Sequence, residues 1–292
     1  MSKSLTIIFP VYNDWESIKI LLKKIDTIIK TIELKIKIVI VNDGSNNNNE
    51  KFLLESNSFA KIFIINLHKN VGSQRAIGTA IKYLNQNNFD ENYIIMDSDG
   101  EDDPEKILEI IKSFQNSKID VITVNRTKRN GPLLFSILYE FHLLITFCLT
   151  FKYIRFGNYS YLSKYALEHI STKKELWMAY SATLAKFFKK KGKIFAIRKE
   201  RIIGKSKMSY FNLFLHSLRI LSVFKKNIFF SSSAYLMICM YKLNFELTNN
   251  LFLFVFIFYF FINISIQLVD RNDKKISFFN CLDNIRDFKS IK

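Results

Sequence analysis

The chain has 292 residues, 49% of them hydrophobic, and a formal net charge of +17. That apolar content excludes general disorder, and the length accommodates one large core or two modest ones. Lys and Arg are spread over the whole length with no zinc-finger or RNA-binding aromatic pattern, which argues against nucleic acid and leaves an anionic membrane surface or phosphorylated substrates as partners.

In chain order, Met1-Ser-Lys-Ser runs directly into the strand-like Leu5–Tyr12 without an apolar leader, so the N-terminal domain is expected to stay in the cytoplasm. Further strand-like runs at Lys35–Val41, Lys61–Leu67, Tyr93–Met96 and Asp120–Asn125 alternate with helix-like runs at Trp15–Ile32, Ser73–Asn85 and Pro104–Phe114, with a weaker helix at Asn49–Asn57. Such alternation predicts a mostly parallel sheet covered on both faces, an α/β fold with ligands beyond the carboxyl ends of the strands. Pro132–Phe151 is apolar but carries Glu140 and His142, which predicts an amphipathic helix resting on the membrane or on the C-terminal helices, or an ordinary buried helix. Leu251–Leu268 holds no charge and, as a helix, is roughly 27 Å long, enough for a transmembrane span. Ile228–Tyr241 is shorter and contains Ser231–Ser233; it is expected to be the first leg of a hairpin. Lys225, Lys226, Arg271, Lys274 and Lys275 flank the pair and put both ends in the cytoplasm by the positive-inside rule. The expected domains are residues 1–226, a hairpin over 227–270, and a cytoplasmic tail or basic amphipathic helix over 271–292. Cys148, Cys239 and Cys281 lie far apart and read as reduced, buried cytosolic thiols.

The chemistry concentrates at Tyr93-Ile-Ile-Met-Asp-Ser-Asp-Gly-Glu-Asp-Asp-Pro-Glu105. Asp97 and Asp99 are two apart, so in an extended segment they leave one face, and Glu101 continues the alternation. Three hard oxygen ligands suit Mg2+ or Mn2+ with positions left for a substrate's phosphates. The plain alternative is an acidic loop before a helix, with Asp102 or Asp103 as its N-cap and Pro104 at its first helical position. Polar signals follow the earlier strands as well: Asn13-Asp14, Asn42-Asp-Gly-Ser45 and Asn70-Val-Gly72. Each alone reads as a turn or a helix start; in order, at successive strand ends, they point at one crevice. The scattered His68, His142, His169 and His216 have no metal-ligand spacing, and Trp15 and Trp177 read as packing residues.

With these pieces in place, the chain resembles family 2 glycosyltransferases of the GT-A fold (nucleotide-diphospho-sugar transferase, Rossmann-like), in the bacterial branch similar to dolichyl-phosphate mannosyltransferase. The matching stretches are Phe9–Asn13, Val41–Ser45, Asn70–Gly72 with Ala76, Met96–Glu105, Arg126 and Arg201–Lys207, over about the first 210 residues. The resemblance implies a GT-A domain plus C-terminal transmembrane helices. It implies a nucleotide set of Pro10, Tyr12, Asn13, Asp43, Asn70, Gly72, Arg75, Asp97 and Ser98, with Pro10, Tyr12 and Asp43 around the base. Asp97, Asp99 and Glu101 would hold Mg2+ or Mn2+, Asp97, Asp99 and Arg201 would be catalytic, and Arg126, Arg129, Arg201, Lys205 and Lys207 would bind the acceptor's phosphate. The sequence departs from the family at Asn42, where Asp is usual, at Asp14, where Glu is frequent, at Glu101, where Gln is common, and at Asn158, in a region where relatives place Asp. The implied activity is inverting transfer of a sugar from a UDP or GDP donor to a polyprenyl phosphate by an enzyme of the inner (cytoplasmic) membrane. A glycan or glycolipid acceptor in cell-envelope assembly, a catalytically silent nucleotide-binding scaffold, and a homo-oligomer are left open.

Overall fold

The computed structural model describes residues 4–30, 32–46, 50, 58–89, 91–127, 133–204, 209–243, 250–272 and 277–292. The chain divides into two compact units, one of Met1–Gly131, Arg155–Lys207 and Phe278–Lys292, the other of Pro132–Ile154 and Met208–Ser277. The expected blocks were contiguous; the units are interleaved. The weak helix expected over 49–57 lies, apart from residue 50, outside the described residues.

The strands of the first unit are β1 (Ser4–Val11), β2 (Lys35–Asn42), β3 (Lys61–Leu67), β4 (Asn92–Ile95), β5 (Val121–Arg126), β6 (Phe156–Leu162), β7 (Gly192–Ala196) and β8 (Ile285–Ser290). They form one sheet in the order β7-β5-β6-β4-β1-β2-β3-β8. β1 runs parallel to β2 and β4, and β2 parallel to β3. These strands are continuous Ile, Val and Phe runs because both faces of a parallel sheet are covered. Leu5, Ile7, Phe9 and Val11 alternate onto the face that holds Ile18, Leu21, Leu22 and Ile25 of α1 (Trp15–Ile29) and Ile107, Ile110 and Ile111 of α3 (Lys106–Asn116). α2 (Ser73–Gln86) buries Ala76, Ile77, Ala80, Ile81 and Leu84. Each large aliphatic side chain so buried contributes about 1.5–3 kcal/mol. β6 is antiparallel to both β4 and β5, and β5 is parallel to β7. α5 (Lys164–Ser171) follows β6, its first turn capped by Ser163, whose Oγ accepts the Ala166 N–H at 3.1 Å. α6 (Tyr180–Phe187) precedes β7.

The end of the chain corrects the sequence reading. Residues 271–292 were expected to be a tail or an amphipathic helix, but Ile285–Ser290 is a strand, antiparallel to β3 with Ile65 opposite Phe288 and Asn66 opposite Asp287. The Phe288 ring stacks on Phe63 at 5.2 Å, and the Lys82 ammonium bonds the carbonyls of Phe278 and Phe279 at 2.9 and 2.8 Å. The strand covers the otherwise open edge of β3, and the charges that made it look like a tail sit on an outer strand where they reach water.

The second unit contains α4 (Leu133–Thr150), α7 (Tyr210–Ser222), α8 (Lys225–Lys242) and α9 (Asn250–Asn272). Among the described residues α9 is the one helix long and apolar enough to cross a membrane, over Asn250–Val269, and only 17% of that window is buried within the protein. α8 is a continuous helix that covers the expected first leg, yet its Ser231–Ser233 and its terminal lysines keep it below the same apolar standard. Its serines bond to neighbouring helices: Ser231 Oγ donates to the Leu149 carbonyl of α4 at 2.8 Å, and Ser232 Oγ accepts from Asn263 Nδ2 of α9 at 3.1 Å. All three cysteines are free thiols, but only Cys281 is buried; Cys148 is exposed and Cys239 half-buried.

Candidate active site

β4 stops at Ile95 and the chain turns at Ser98–Gly100, so Asp97 and Asp99 do not alternate along a strand as expected. Gly100 makes the turn possible: its φ is +79°, and a Cβ there would stand 2.3 Å from Ile202 Cδ1. Ser98 Oγ donates to the Pro10 carbonyl at 2.8 Å and ties the turn to the end of β1. Asp102 Oδ2 accepts the Asp97 N–H at 3.2 Å, and Asp99 Oδ1 accepts the Glu101 N–H at 3.1 Å. Asp103 accepts the Glu105 N–H, and helix α3 starts at Lys106. The acidic loop thus leads into a helix as expected, but the cap position is Glu105 rather than Asp102 or Asp103, and Pro104 lies in the turn before the helix.

A basic segment after β7 lies along this turn. Lys199 N–H bonds the Glu101 carbonyl at 2.8 Å and Ile202 N–H the Asp99 carbonyl at 3.0 Å. Arg198 pairs with Glu101, and Lys199 with Asp103 at 2.9 Å. Arg201 Nη2 donates to Asp14 Oδ2 at 2.8 Å, and its Nη1 is 3.9 Å from Asp99 Oδ2. Arg198 and Arg201 each keep a buried Nε–H without an acceptor among the described residues. Burial lowers the Arg198 guanidinium's affinity for its proton, against the pull of Asp97 and Asp99. Burial first, then the charge of Asp99, pushes the Asp97 carboxyl up. Asp102 is pushed up to about 7 by burial and then by Asp97, with Arg126 Nη2 3.8 Å away opposing the shift.

This geometry separates the expected metal ligands. Among the described residues no three His, Cys, Asp or Glu side chains form a group able to hold an ion. Glu101 does not fit the role, since its carboxylate is committed to Arg198. Asp97 and Asp99 do fit: they are a like-charged pair, one member buried, whose mutual repulsion a hard cation would relieve.

The other strand ends form a second cluster. Asp43 is buried at the end of β2, where Oδ1 and Oδ2 accept the N–H groups of Val71 and Gly72 at 2.8 and 2.9 Å. Burial raises this carboxyl to about 6 in spite of those bonds. The two loops touch at Gly44, where φ is +67° and a Cβ would lie 2.7 Å from the Asn70 nitrogen. Asn13, at φ 52°, donates its N–H to Ser45 Oγ at 3.0 Å, and its Oδ1 accepts from Asn46 N–H at 2.9 Å. Tyr12 is exposed beside it. The Arg75 guanidinium stands 5.3 Å over the ring of Trp177, which is buried as a packing residue. Arg126 lies over Gly157, where a Cβ would meet its Nη2 at 2.7 Å. Arg129, Lys205 and Lys207 lie outside the described residues.

Two residues outside the expected site set connect the clusters. Gln74 Oε1 accepts the Tyr180 N–H, Gln74 Nε2 donates to Asn158 Oδ1, and Asn158 Nδ2 donates to Asp97 Oδ1, each at 2.8 Å. Asn158 stood out in the sequence only as a departure from relatives. Gln74 gave a weaker signal, its place in the first turn of the helix after Gly72.

Asp43 and the Asp97–Asp99 turn lie at the carboxyl ends of β2 and β4, on either side of β1 in the parallel part of a mixed sheet, which is where open α/β sheets bind ligands. The family profile described as Glycosyl transferase family 2 matches residues 6–176, and the chain belongs to this family. It is 29% identical over 132 residues to an uncharacterized glycosyltransferase of Synechocystis sp., sll0501, covering 45% of this chain and 40% of that protein. It is 26% identical over 133 residues to the undecaprenyl-phosphate 4-deoxy-4-formamido-L-arabinose transferase of Photorhabdus laumondii, covering 45% and 39%. The matches thus span less than half the length of these relatives. Among solved structures it is similar to glucosyl-3-phosphoglycerate synthase of Mycobacterium tuberculosis in complex with phosphoglyceric acid, with a TM-score of 0.56, 10% identity and coverage of 77% and 80%. The same enzyme with Mn2+, UDP-glucose and phosphoglyceric acid gives 0.54 at 11% identity, covering 77% and 79%. The sheet unit therefore has a GT-A-like fold.

Proposed function

We propose that this chain is a membrane-anchored, divalent-metal-dependent glycosyltransferase that moves a sugar from a nucleoside diphosphate donor to a polyprenyl phosphate. The observation that carries the reading is the pairing of the Asp97–Asp99 turn with Arg198 and Arg201, in the sheet unit that holds Asp43 at the end of β2, on the far side of β1. Asp97 and Asp99 would hold Mg2+ or Mn2+, which when bound neutralises the leaving diphosphate. Asn158 orients Asp97 from one side, and Ser98 fixes the turn from the other. Asp43 supports the loop of Val71 and Gly72 against which the base would sit. Arg201, with a buried Nε–H that has no acceptor among the described residues, is suited to meet charge as it develops on a phosphoryl oxygen. A lipid phosphate is ionised at neutral pH and attacks the anomeric carbon without a strong base. The carbon–oxygen bond to the nucleotide breaks on the opposite face, with inversion.

The membrane part rests on α9 and on connectivity. Because β1–β7 and β8 share one sheet, the chain between them crosses a bilayer an even number of times. If α9 spans with α8 as its return leg, Lys225 and Lys226 flank the pair at the start of α8, as the positive-inside rule expects of a cytoplasmic end. Within the helical unit a groove of about 510 Å³, with Lys226 among Phe151, Phe230 and Tyr235, suits an anionic head on an apolar tail. The Photorhabdus relative's undecaprenyl-phosphate specificity supports the same acceptor class.

The test is transfer from labelled UDP- and GDP-sugars into lipid extract by detergent-purified protein with Mg2+ or Mn2+, beside Asp99→Asn. The expected product is organic-soluble, acid-labile label that the variant does not form. Label only in acid-stable glycan would move the acceptor to envelope polysaccharide, and no turnover with any donor would favour a silent scaffold.

A further inference from the structure

Asn42, Asn66 and Asp287 stand opposite one another in register at neighbouring positions of β2, β3 and β8. Asn42 and Asn66 are buried, and their amides are joined in one direction. Asn66 Nδ2 donates to Asp287 Oδ1 at 2.7 Å, Asn42 Nδ2 donates to Asn66 Oδ1 at 2.7 Å, and Ser45 N–H donates to Asn42 Oδ1 at 3.0 Å. Ser45 Oγ in turn accepts the Asn13 N–H. An amide has a donor end and an acceptor end, whereas an ionised carboxylate only accepts. Asp287 therefore fixes which way Asn66 points, Asn66 fixes Asn42, and Asn42 presents a carbonyl oxygen to the loop beside Asp43. Asp287 is held in the ionised form: burial favours its proton, but the bonds from Asn66 and Arg286 and the charge of Lys289 outweigh that and lower it. Its partners Arg286 Nε, at 2.9 Å from Oδ2, and Lys289, at 3.9 Å from Oδ1, come from its own strand.

We infer that Asp287, on the returning C-terminal strand, is a positioning residue for the nucleoside diphosphate site, and that it sets the polarity of the Asn66–Asn42–Ser45 chain that shapes the Asp43 loop. This rests on the reading of that crevice as the donor site. Polarity gives the inference a signature that general support of the fold lacks. Asn42→Asp removes the donor that Asn66 Oδ1 needs; if Asn66 flips to serve the new carboxylate, its carbonyl then faces Asp287. Adding Asp287→Asn supplies an N–H to that flipped carbonyl, and the whole chain runs the other way with Ser45 still satisfied.

The experiment is calorimetric titration of UDP and GDP into detergent-purified wild type, Asn42→Asp, Asp287→Asn and the double variant, with thermal melting of each in parallel. The expected result is a nucleotide Kd weakened about tenfold or more in Asn42→Asp, changed less than about threefold in Asp287→Asn, and restored to within about threefold of wild type in the double variant. A double variant that binds no better than Asn42→Asp overturns the inference. So does a cycle in which melting is lost and rescued while Kd stays constant, because the chain would then serve the fold alone. If wild type binds neither nucleotide, the donor-site reading falls and this inference with it. Wild type itself identifies that failure, before any variant is compared.

Discussion

The two units of this protein treat their polar and apolar groups in opposite ways. At the carboxyl ends of the sheet, polar groups are withdrawn from water and paired: Asp43 with two backbone N–H groups, Asn158 with Asp97, Glu101 with Arg198. In the helical unit the few internal polar bonds, such as Asn263 with Ser232, join helices, while Phe254, Ile257, Phe261 and Ile264 of α9 face outward. Exposure alone does not distinguish these surfaces, since Phe195 in β7 and Ile257 in α9 are both 57% exposed. What differs is continuity. Phe195 lies beside the charged surface of Lys193, whereas Ile257 belongs to the uncharged run Leu251–Leu268, about as long as a bilayer core is thick.

The contrast can be broken at several points. The largest effect is expected at the paired carboxylates: Asp99→Asn should cut sugar transfer about a thousandfold with little change in melting temperature, because the lost charge acts on the leaving diphosphate. Steady-state rates at saturating donor, read with circular dichroism melts, check this. Next in size is the membrane surface. Ile257→Lys should shift the protein out of the membrane fraction, at a cost of about 3 kcal/mol for a charge near a helix centre, while Phe195→Lys leaves fractionation and activity unchanged. Equal behaviour of the two would remove the distinction drawn between the surfaces.

A smaller, graded effect comes from pH. The Asp43 carboxyl is raised to about 6 in the folded protein from an ordinary 3.8, so the folded state takes up its proton first. Its contribution to stability is therefore fully present below about pH 4 and lost as pH rises through 6. Nucleotide binding should run the other way, weakening about tenfold per pH unit below 6 as the carboxylate that holds Val71 and Gly72 is neutralised, and losing that dependence in Asp43→Asn. Titrations from pH 5 to 8 measure both. The smallest effect is expected at Asn263→Leu, which removes the bond to Ser232 and should weaken helix association by about 0.6 kcal/mol, seen as a small drop in melting temperature in detergent.

The part of the molecule legible in sequence is the part whose signals are local. β1 to β5 announce themselves as apolar runs, and the positions of the polar strand ends follow from where those runs stop. Asp43, Gly72 and the Asp97–Asp99 pair fall where the motifs put them, because a turn residue and its strand are neighbours in the chain. Pairings across long separations were not legible. Glu101 looks like a third metal ligand until Arg198 is brought to it, and nothing near Glu101 encodes that approach. β8 is missed for a related reason: Ile-Arg-Asp-Phe-Lys-Ser has weak alternation, and its partner β3 lies more than two hundred positions away. The serines of α8 read as interruptions of a span, though two of them bond to neighbouring helices.

The return of β8 also sets an order of events during synthesis. A ribosome makes β1 to β7, then the helices through α9, and only then the strand that covers β3. Until residues 285–290 emerge, β3 has an open edge and Asn66 has no carboxylate to orient it. Completion of the sheet therefore follows translation of the apolar helices. A nascent chain stalled before residue 285 would carry the Asp97–Asp99 turn without Asp287, so the finished arrangement of the Asp43 loop belongs to molecules whose helices have already been made.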